Sequence, residues 1–153
     1  MDRRYGGSWA DRLKTLFERE SLPFDATIQR VPKSFDALRL AELARENGRH
    51  EALHANLMDA FWARGRDLGD HDDVLLEEAA AAGLPEDATR EILEGDRYAD
   101  LVEASTQGAL EAGASGVPAF AVDNRILIPG AQPEAVFEQV LARLGYEANG
   151  ERS

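Results

Sequence analysis

The apolar residues of this chain change their spacing once, near residue 117, and this change limits the folds that the chain can adopt. Up to residue 112 they recur three or four positions apart, which is typical of amphipathic helices. Two short apolar runs follow at residues 118–122 and 126–128, on either side of Asp123-Asn124-Arg125. This second pattern predicts a β-hairpin.

The helical part of the sequence is divided by prolines and glycines, which end helices or begin new ones. The first predicted helix begins at Ser8 and ends before Pro23, and Gly48 marks the end of the second. Residues 24–31 alternate between apolar and polar side chains, which predicts a short extended segment. After the hairpin, Pro133 begins the last predicted helix.

These patterns predict one α+β domain that is mostly helical. Residues 8–112 form its helical part, residues 117–144 form a strand–strand–helix unit, and residues 145–153 form a polar tail. No repeat and no low-complexity linker divides the chain, which favours a single domain. We expect no cofactor.

The charge balance argues against two classes of partner. The chain has 17 basic and 29 acidic residues, a net charge of −12. Proteins that bind nucleic acid or anionic membranes use clusters of Lys and Arg, and this sequence has none. No apolar run approaches the roughly 18 residues of a membrane-spanning helix, and the first residues lack the pattern of a secretory signal. We therefore expect a cytoplasmic, bacterial-type protein that binds neither nucleic acid nor membrane.

The sequence contains no cysteine. It therefore offers no disulfide, no thiolate ligand for zinc and no cysteine nucleophile. Any thiol chemistry would need a thiol from outside these 153 residues, so we assign no catalytic residue within the chain.

The motif His50-Glu51-Ala52-Leu53-His54 lies on a predicted helix. Histidines four residues apart share a helix face and can bind Zn²⁺, with the glutamate as general base. A zinc site needs a third protein ligand, and the sequence singles out none. Helical spacing places both imidazoles on the side of Leu57 and Phe61, at the edge of a helix–helix contact. We predict no stoichiometric zinc and assign no metal ligand, with a small zinc hydrolase as an alternative.

Four short segments carry a family resemblance: Ser34-Phe35-Asp36-Ala37-Leu38-Arg39-Leu40, Gly65-Arg66-Asp67-Leu68-Gly69-Asp70, Gly116-Val117-Pro118-Ala119-Phe120 and Gly130-Ala131-Gln132-Pro133. They occur in the order found in DsbA-like thioredoxin-fold proteins, which the chain resembles over about residues 5–145. The similarity is greatest to the FrnE-type oxidoreductases. The hydroxychromene-carboxylate isomerases are more distant relatives.

The resemblance implies a helical insert at residues 8–112 and, at residues 117–144, the C-terminal half of a thioredoxin fold. It implies that Gly116, Val117 and Pro118 belong to the loop that contacts a protein or peptide substrate. In that family a cis peptide bond precedes the loop proline. The Val117–Pro118 bond is therefore expected to be cis.

The chain departs from the family at its start. In the family a strand, a helix with a CxxC motif and a second strand precede the insert, whereas residues 4–8 here resemble a point after those elements. Lys33 also stands where the family usually has asparagine. We therefore expect a partial DsbA-like domain, truncated before the insert. It would be inactive alone, because disulfide exchange needs an attacking thiolate.

Two interpretations of the resemblance stay open. The chain is either the C-terminal portion of a FrnE-type thiol–disulfide oxidoreductase or a non-catalytic thioredoxin-like binding module that kept the insert and the loop. In both, the hairpin lacks neighbouring strands, and an isolated two-stranded hairpin is marginal in water. We expect a homodimer, or a partner chain that supplies the missing strands.

Overall fold

Seven α-helices and one two-stranded antiparallel sheet make up the part of the chain that the computed structural model describes, residues 8–28 and 30–146. The helices are α1 (Ser8–Arg19), α2 (Phe35–Glu46), α3 (His50–Met58), α4 (Leu76–Ala81), α5 (Glu86–Glu94), α6 (Ala99–Glu111) and α7 (Glu134–Arg143). The strands are β1 (Ala119–Val122) and β2 (Ile126–Pro129). The predicted fold class, a mostly helical α+β chain, is confirmed.

The chain divides into two compact units, with the division between Val102 and Glu103, inside α6. The helical unit runs up to Val102 and holds α1 to α5. The hairpin unit begins at Glu103 and holds the rest of α6, both strands and α7.

The core of the helical unit is formed by the apolar stripes of α2 to α5 and the segments between them. Helices with this spacing bury one face and leave the other in water. The side chains with no exposed surface are Leu40, Ala44, Leu53, Ala60, Leu75, Ala79 and Ile92. Gly48 follows α2 with φ of 64°, the left-handed conformation that glycine adopts without a Cβ clash, and α2 ends there as its sequence predicts.

Two turns of π-helix lie in the helical unit. Asp59–Ala63 continues α3, and His71–Leu75 leads into α4. Asp70 precedes the second of these, and its side chain accepts a hydrogen bond from the Asp73 amide at 3.1 Å. This is helix capping by a carboxylate, which satisfies an amide that has no partner within the helix.

The extended segment predicted at residues 24–31 is wrong for the described residues there. Asp25 Oδ1 accepts hydrogen bonds from the Thr27 amide at 2.7 Å and the Thr27 hydroxyl at 2.6 Å. The Asp25 amide donates to the Trp62 carbonyl at 2.6 Å. A side chain that bonds its own backbone two residues on favours a turn over a strand.

A buried arginine ties α2 to the end of α5. Arg39 is 3% exposed, and its guanidinium donates to the Ile92 carbonyl, to the Gly95 carbonyl at 2.6 Å and to the Arg97 carbonyl at 3.0 Å. It also donates to Asp36 Oδ1 at 2.7 Å. Carbonyls at a helix end have no partner within the helix, so Arg39 serves as their common donor.

Asp36 connects this arginine to a second segment, because its other oxygen lies 2.8 Å from His71 Nε2. Burial acts to raise the pKa of the Asp36 carboxyl. The hydrogen bonds and charges of Arg39 and His71 outweigh burial and hold that pKa below its ordinary value of 3.8.

The hairpin unit is built on the predicted β-turn. Asp123 and Asn124 have φ of 53° and 52°, and the Arg125 amide donates to the Val122 carbonyl at 3.0 Å. Two central residues of positive φ define a type I′ turn, whose twist matches that of the flanking strands. Residues 147–153 of the predicted polar tail lie outside the described residues. Tyr146, at its start, donates its hydroxyl to Asp123 Oδ1 at 2.7 Å.

Both faces of the hairpin have neighbours within its unit. On one face Phe120 meets Phe137 of α7 edge-on, with ring centroids 5.1 Å apart and planes at 88°. On the other face Leu127 lies beside Gly113, where an added Cβ would sit 3.7 Å from Leu127 Cδ2. Even so, Phe120 is 43% exposed.

Candidate functional site

The loop that leads into β1 brings together the three residues predicted to contact a substrate. Gly116, Val117 and Pro118 are consecutive and all exposed. The Val117 side chain is 97% exposed, more than any other large apolar residue among those described. The Val117–Pro118 peptide bond is cis.

The loop is fastened to the segment after β2. The Pro118 carbonyl accepts a hydrogen bond from the Gly130 amide at 2.8 Å. Gly130 has φ of 73°, and the Gln132 side chain donates to the Pro129 carbonyl at 2.7 Å. The turn in the segment Gly130-Ala131-Gln132-Pro133 thus holds Pro118 of the loop in place.

The outer edge of β1 is free in the described part of the chain. Pro118 and Gly130 form a hydrogen-bonded pair, and Phe120 pairs with Ile128 two residues on. Backbone groups alternate in direction along a strand, so those of Ala119 and Ala121 point away from β2. The described sheet has only these two strands, and an unpaired edge can take another strand.

A depression of about 390 Å³ lies near the turn of the hairpin. It is lined by Ala112, Ala121, Asn124, Arg125, Ile126 and Leu127. Four of these side chains are apolar, and no pair of acid and base lies among them. The lining favours binding of an apolar group and offers no catalytic machinery. The sequence predicts a hairpin that lacks neighbouring strands, but it does not predict this depression.

A tyrosine–carboxylate pair lies at the turn of the hairpin. The hydrogen bond to Asp123, together with its negative charge, raises the pKa of Tyr146. Both groups are exposed. This pair holds the chain after α7 against the turn and lies at the opposite end of β1 from Pro118.

His50 and His54 lie on α3 in the helical unit. Their rings are 6.1 Å apart between centroids and nearly parallel, at 10°. Leu57 is buried, His50 is half-buried and His54 is exposed, so the two imidazoles lie at the border between the buried and the exposed face of α3. Both precede the π-helical turn that begins at Asp59, so that turn changes the direction of Phe61 and not the spacing of the two histidines.

The described residues contain no group of three or more His, Cys, Asp or Glu that could hold a metal ion. Within the same residues, no helix has the length and apolar character needed to cross a membrane.

A second depression, of about 430 Å³, lies in the helical unit and includes Ile28, Phe61 and two arginines. Both arginines are paired: Arg30 donates to Asp67 at 2.8 Å, and Arg66 donates to Glu77 at 2.6 Å. A backbone hydrogen bond from Gly69 and the charge of Arg30 hold the pKa of Asp67 below its usual value. Because both arginines already have carboxylate partners, we assign this depression a structural role and not a ligand-binding role.

An exposed proline loop before an antiparallel hairpin, with a helix against one strand face, is the arrangement of a thioredoxin-like protein. A family model described as the DSBA-like thioredoxin domain matches residues 6–142. The chain therefore belongs to the DSBA-like thioredoxin domain family.

A similarity to a solved structure supports the same family. The crystal structure of a probable DsbA oxidoreductase from Streptomyces coelicolor is similar with a TM-score of 0.78 and 33% sequence identity. The match covers 95% of this chain and 63% of that one, so this chain spans less than two thirds of the length of the protein it resembles. No curated protein sequence matches the chain.

Proposed function

We propose that this chain is the substrate-loop portion of a FrnE-type thiol–disulfide oxidoreductase. Gly116, Val117 and Pro118 contact an extended protein or peptide substrate, and the reacting thiols come from outside these 153 residues. The observation that carries the proposal is the Val117 side chain, 97% exposed, in a family whose loop at this point touches the substrate.

The strand edge next to the loop supports a peptide as the ligand. The outward-facing backbone groups of Ala119 and Ala121 offer the pairing that an extended chain needs. Main-chain hydrogen bonds at such an edge bind without regard to sequence, and an exposed apolar side chain such as Val117 adds contact area. This combination suits a protein that acts on unfolded chains.

Because the chain has no cysteine, it can bind a substrate but cannot itself supply the thiol for disulfide exchange. Disulfide exchange proceeds by attack of a thiolate on a disulfide, and the sequence has no cysteine. A partner chain, or a segment that carries a CxxC motif and its strands, would add the thiols beside the loop. The proposal also includes a cytoplasmic location.

The same absence favours a second candidate function, a non-catalytic thioredoxin-like binding module. Such a protein keeps the loop and the strand edge and holds an extended chain without changing its disulfides. A second copy of the chain would then serve as the partner at the edge. The two candidates differ in whether a thiol-bearing partner is ever joined to this portion.

A disulfide-reduction assay tests the chemical part of the proposal. Purified chain, incubated with insulin and dithiothreitol, should reduce insulin no faster than buffer with dithiothreitol. A rate clearly above that blank, lost in Pro118→Ala, would contradict the statement that the thiols come from elsewhere.

A peptide-binding assay tests the loop. Fluorescence anisotropy with an unfolded, cysteine-free peptide should show binding that Val117→Asp weakens by on the order of tenfold, since the new charge must be desolvated. Leu22→Asp is the matched control, because Leu22 is also apolar and 55% exposed but lies outside the loop. Equal binding by both variants would remove the loop from the proposal, and binding to neither the variants nor the original chain would remove the peptide as ligand.

Co-expression with a separate segment bearing a strand, a CxxC helix and a second strand distinguishes the two candidates. The oxidoreductase proposal expects a complex that reduces insulin faster than the segment alone. The binding-module candidate expects no gain in rate and the same peptide affinity with and without the segment.

A further inference from the structure

We propose that His50 and His54 form a two-ligand site for a late first-row divalent metal ion, with Cu²⁺ bound more tightly than Ni²⁺ or Zn²⁺. The inference goes beyond the proposed function, because it concerns the helical unit and does not involve the loop. It also differs from a zinc hydrolase, which needs a third protein ligand.

The spacing of the two imidazoles carries the first part of the argument. Residues four apart on an α-helix lie on one face, one turn above the other. Both histidines fall within the regular part of α3, before the π-helical turn begins at Asp59. Their ring centroids are 6.1 Å apart with planes at 10°. The ring torsion of histidine is soft, so both rings can turn toward one ion without a change in the backbone.

The availability of the two rings carries the second part. Neither imidazole has a hydrogen-bond or ion-pair partner among the residues that the structure describes. His54 is exposed and His50 is half-buried. The third histidine differs, because His71 Nε2 is 2.8 Å from Asp36. Metal binding at His50 and His54 therefore breaks no hydrogen bond and no ion pair among the described residues, and solvent has access to the pair.

The donor set selects the metal. Two neutral imidazole nitrogens suit Cu²⁺, Ni²⁺ and Zn²⁺, and affinity for a given nitrogen site rises to a maximum at Cu²⁺. With no third protein ligand among the described residues, the remaining coordination positions are left to water. The ion would then exchange with solvent, which agrees with the expectation that no zinc stays bound through purification.

Some of the charges around the two histidines favour the binding of a cation, and others oppose it. A net charge of −12 attracts cations to the protein, and Glu51 lies next to His50 in the first turn of α3. Arg49 precedes the helix, and the start of a helix carries partial positive charge. Because these attractive and repulsive contributions oppose each other, we expect a moderate affinity for the ion. Binding then depends on coordination by the second imidazole. Once one ring holds the ion, the second binds it intramolecularly at a high effective concentration.

Calorimetric titration of the tag-free full chain with Cu²⁺ at pH 7.5, in a buffer that does not bind copper, tests the site. We expect one Cu²⁺ per chain, with nitrogen coupling in the electron paramagnetic resonance spectrum. His54→Ala and His50→Ala should each lower the affinity by on the order of tenfold or more, because each leaves a single imidazole. His71→Ala should leave the affinity unchanged. Circular dichroism establishes that each variant is folded.

A register variant makes the test specific to the spacing. His54→Ala combined with Ala55→His keeps three histidines but sets the pair five apart, and Ala55 is exposed, so the change disturbs no core. This double variant should bind Cu²⁺ no better than His54→Ala. Copper affinity equal to that of the original chain in His54→Ala or in the double variant would overturn the proposal, as would the absence of a one-to-one site in the original chain.

Discussion

The helical unit and the hairpin unit differ in how far their apolar side chains are buried. Of the 18 apolar residues that are buried in the described part of the chain, all but Ile128 lie at or before Val102. Helix α7 has no buried residue at all, and Val117, Phe120 and Leu141 are exposed. The helical unit therefore has a core of its own, whereas the hairpin unit has apolar surface available for contact with other molecules.

The polar groups differ in the same way. In the helical unit Arg39, Glu78 and Thr89 are buried, and each has hydrogen-bond partners. In the hairpin unit the Tyr146–Asp123 pair is exposed. Buried polar groups are costly unless they are paired, so the helical unit depends on its networks for stability. The hairpin unit can change its partners at lower cost, which suits a region that binds.

The largest expected effect comes from a cavity in the helical core. Leu53 has no exposed surface, so Leu53→Ala should lower the free energy of unfolding by about 2–5 kcal/mol. Leu141→Ala, in a helix where the side chain is 40% exposed, should lower it much less. Urea denaturation followed by circular dichroism measures both. Equal losses would mean that the hairpin unit has as much of a core as the helical unit.

A smaller effect is expected from the buried arginine. Arg39→Ala leaves the carbonyls at the end of α5 without their donor and removes the donor to Asp36 Oδ1, and should lower the free energy of unfolding by about 2–3 kcal/mol. Arg90→Ala removes an exposed pair with Glu86 and should leave the urea midpoint nearly unchanged. If the two variants behaved alike, the buried network would not be a source of stability.

The acid dependence of stability is expected to be smaller still and specific to the helical unit. The pKa of Asp36 is lowered in the folded chain. Its ionised form therefore stabilises the fold above the ordinary carboxyl pKa, and this contribution is lost as the pH falls through the folded pKa. Unfolding free energies at pH 7 and pH 3 should differ less for Asp36→Asn than for the original chain. Glu91→Gln, at an exposed position in α5, is the control and should follow the original chain.

A substitution at the outer edge of β1 is expected to change the stability least and to reduce self-association. Ala121→Pro removes an amide that points away from β2, so the hairpin keeps its ladder but loses an outward donor. Sedimentation velocity at micromolar concentration should show self-association of the original chain and less of it in this variant. Phe120→Pro is the contrasting variant, because it removes a donor to Ile128 and should disrupt the hairpin. A monomeric original chain would mean that the hairpin edge needs no partner.

Elements whose causes are local could be predicted from the sequence. Apolar spacing predicts the helices, and left-handed residues at Gly48, Asp123 and Asn124 coincide with predicted ends and turns. The three loop residues were predicted from the order of four short segments, all of which lie within the residues 6–142 that the family model matches. Such features depend on neighbours in the chain, so they can be read without knowing which distant residues meet.

Features that join distant positions depend on packing between segments, and the sequence does not predict them. Arg39 meets carbonyls more than fifty residues away, and the Asp25 amide at the turn donates to the distant Trp62 carbonyl. The π-helical turn after Met58 moves Phe61 away from the face that it would share with His54 in a regular helix. In each case a local preference competes with a long-range hydrogen bond or with burial, and the outcome depends on packing that no periodicity in the sequence records.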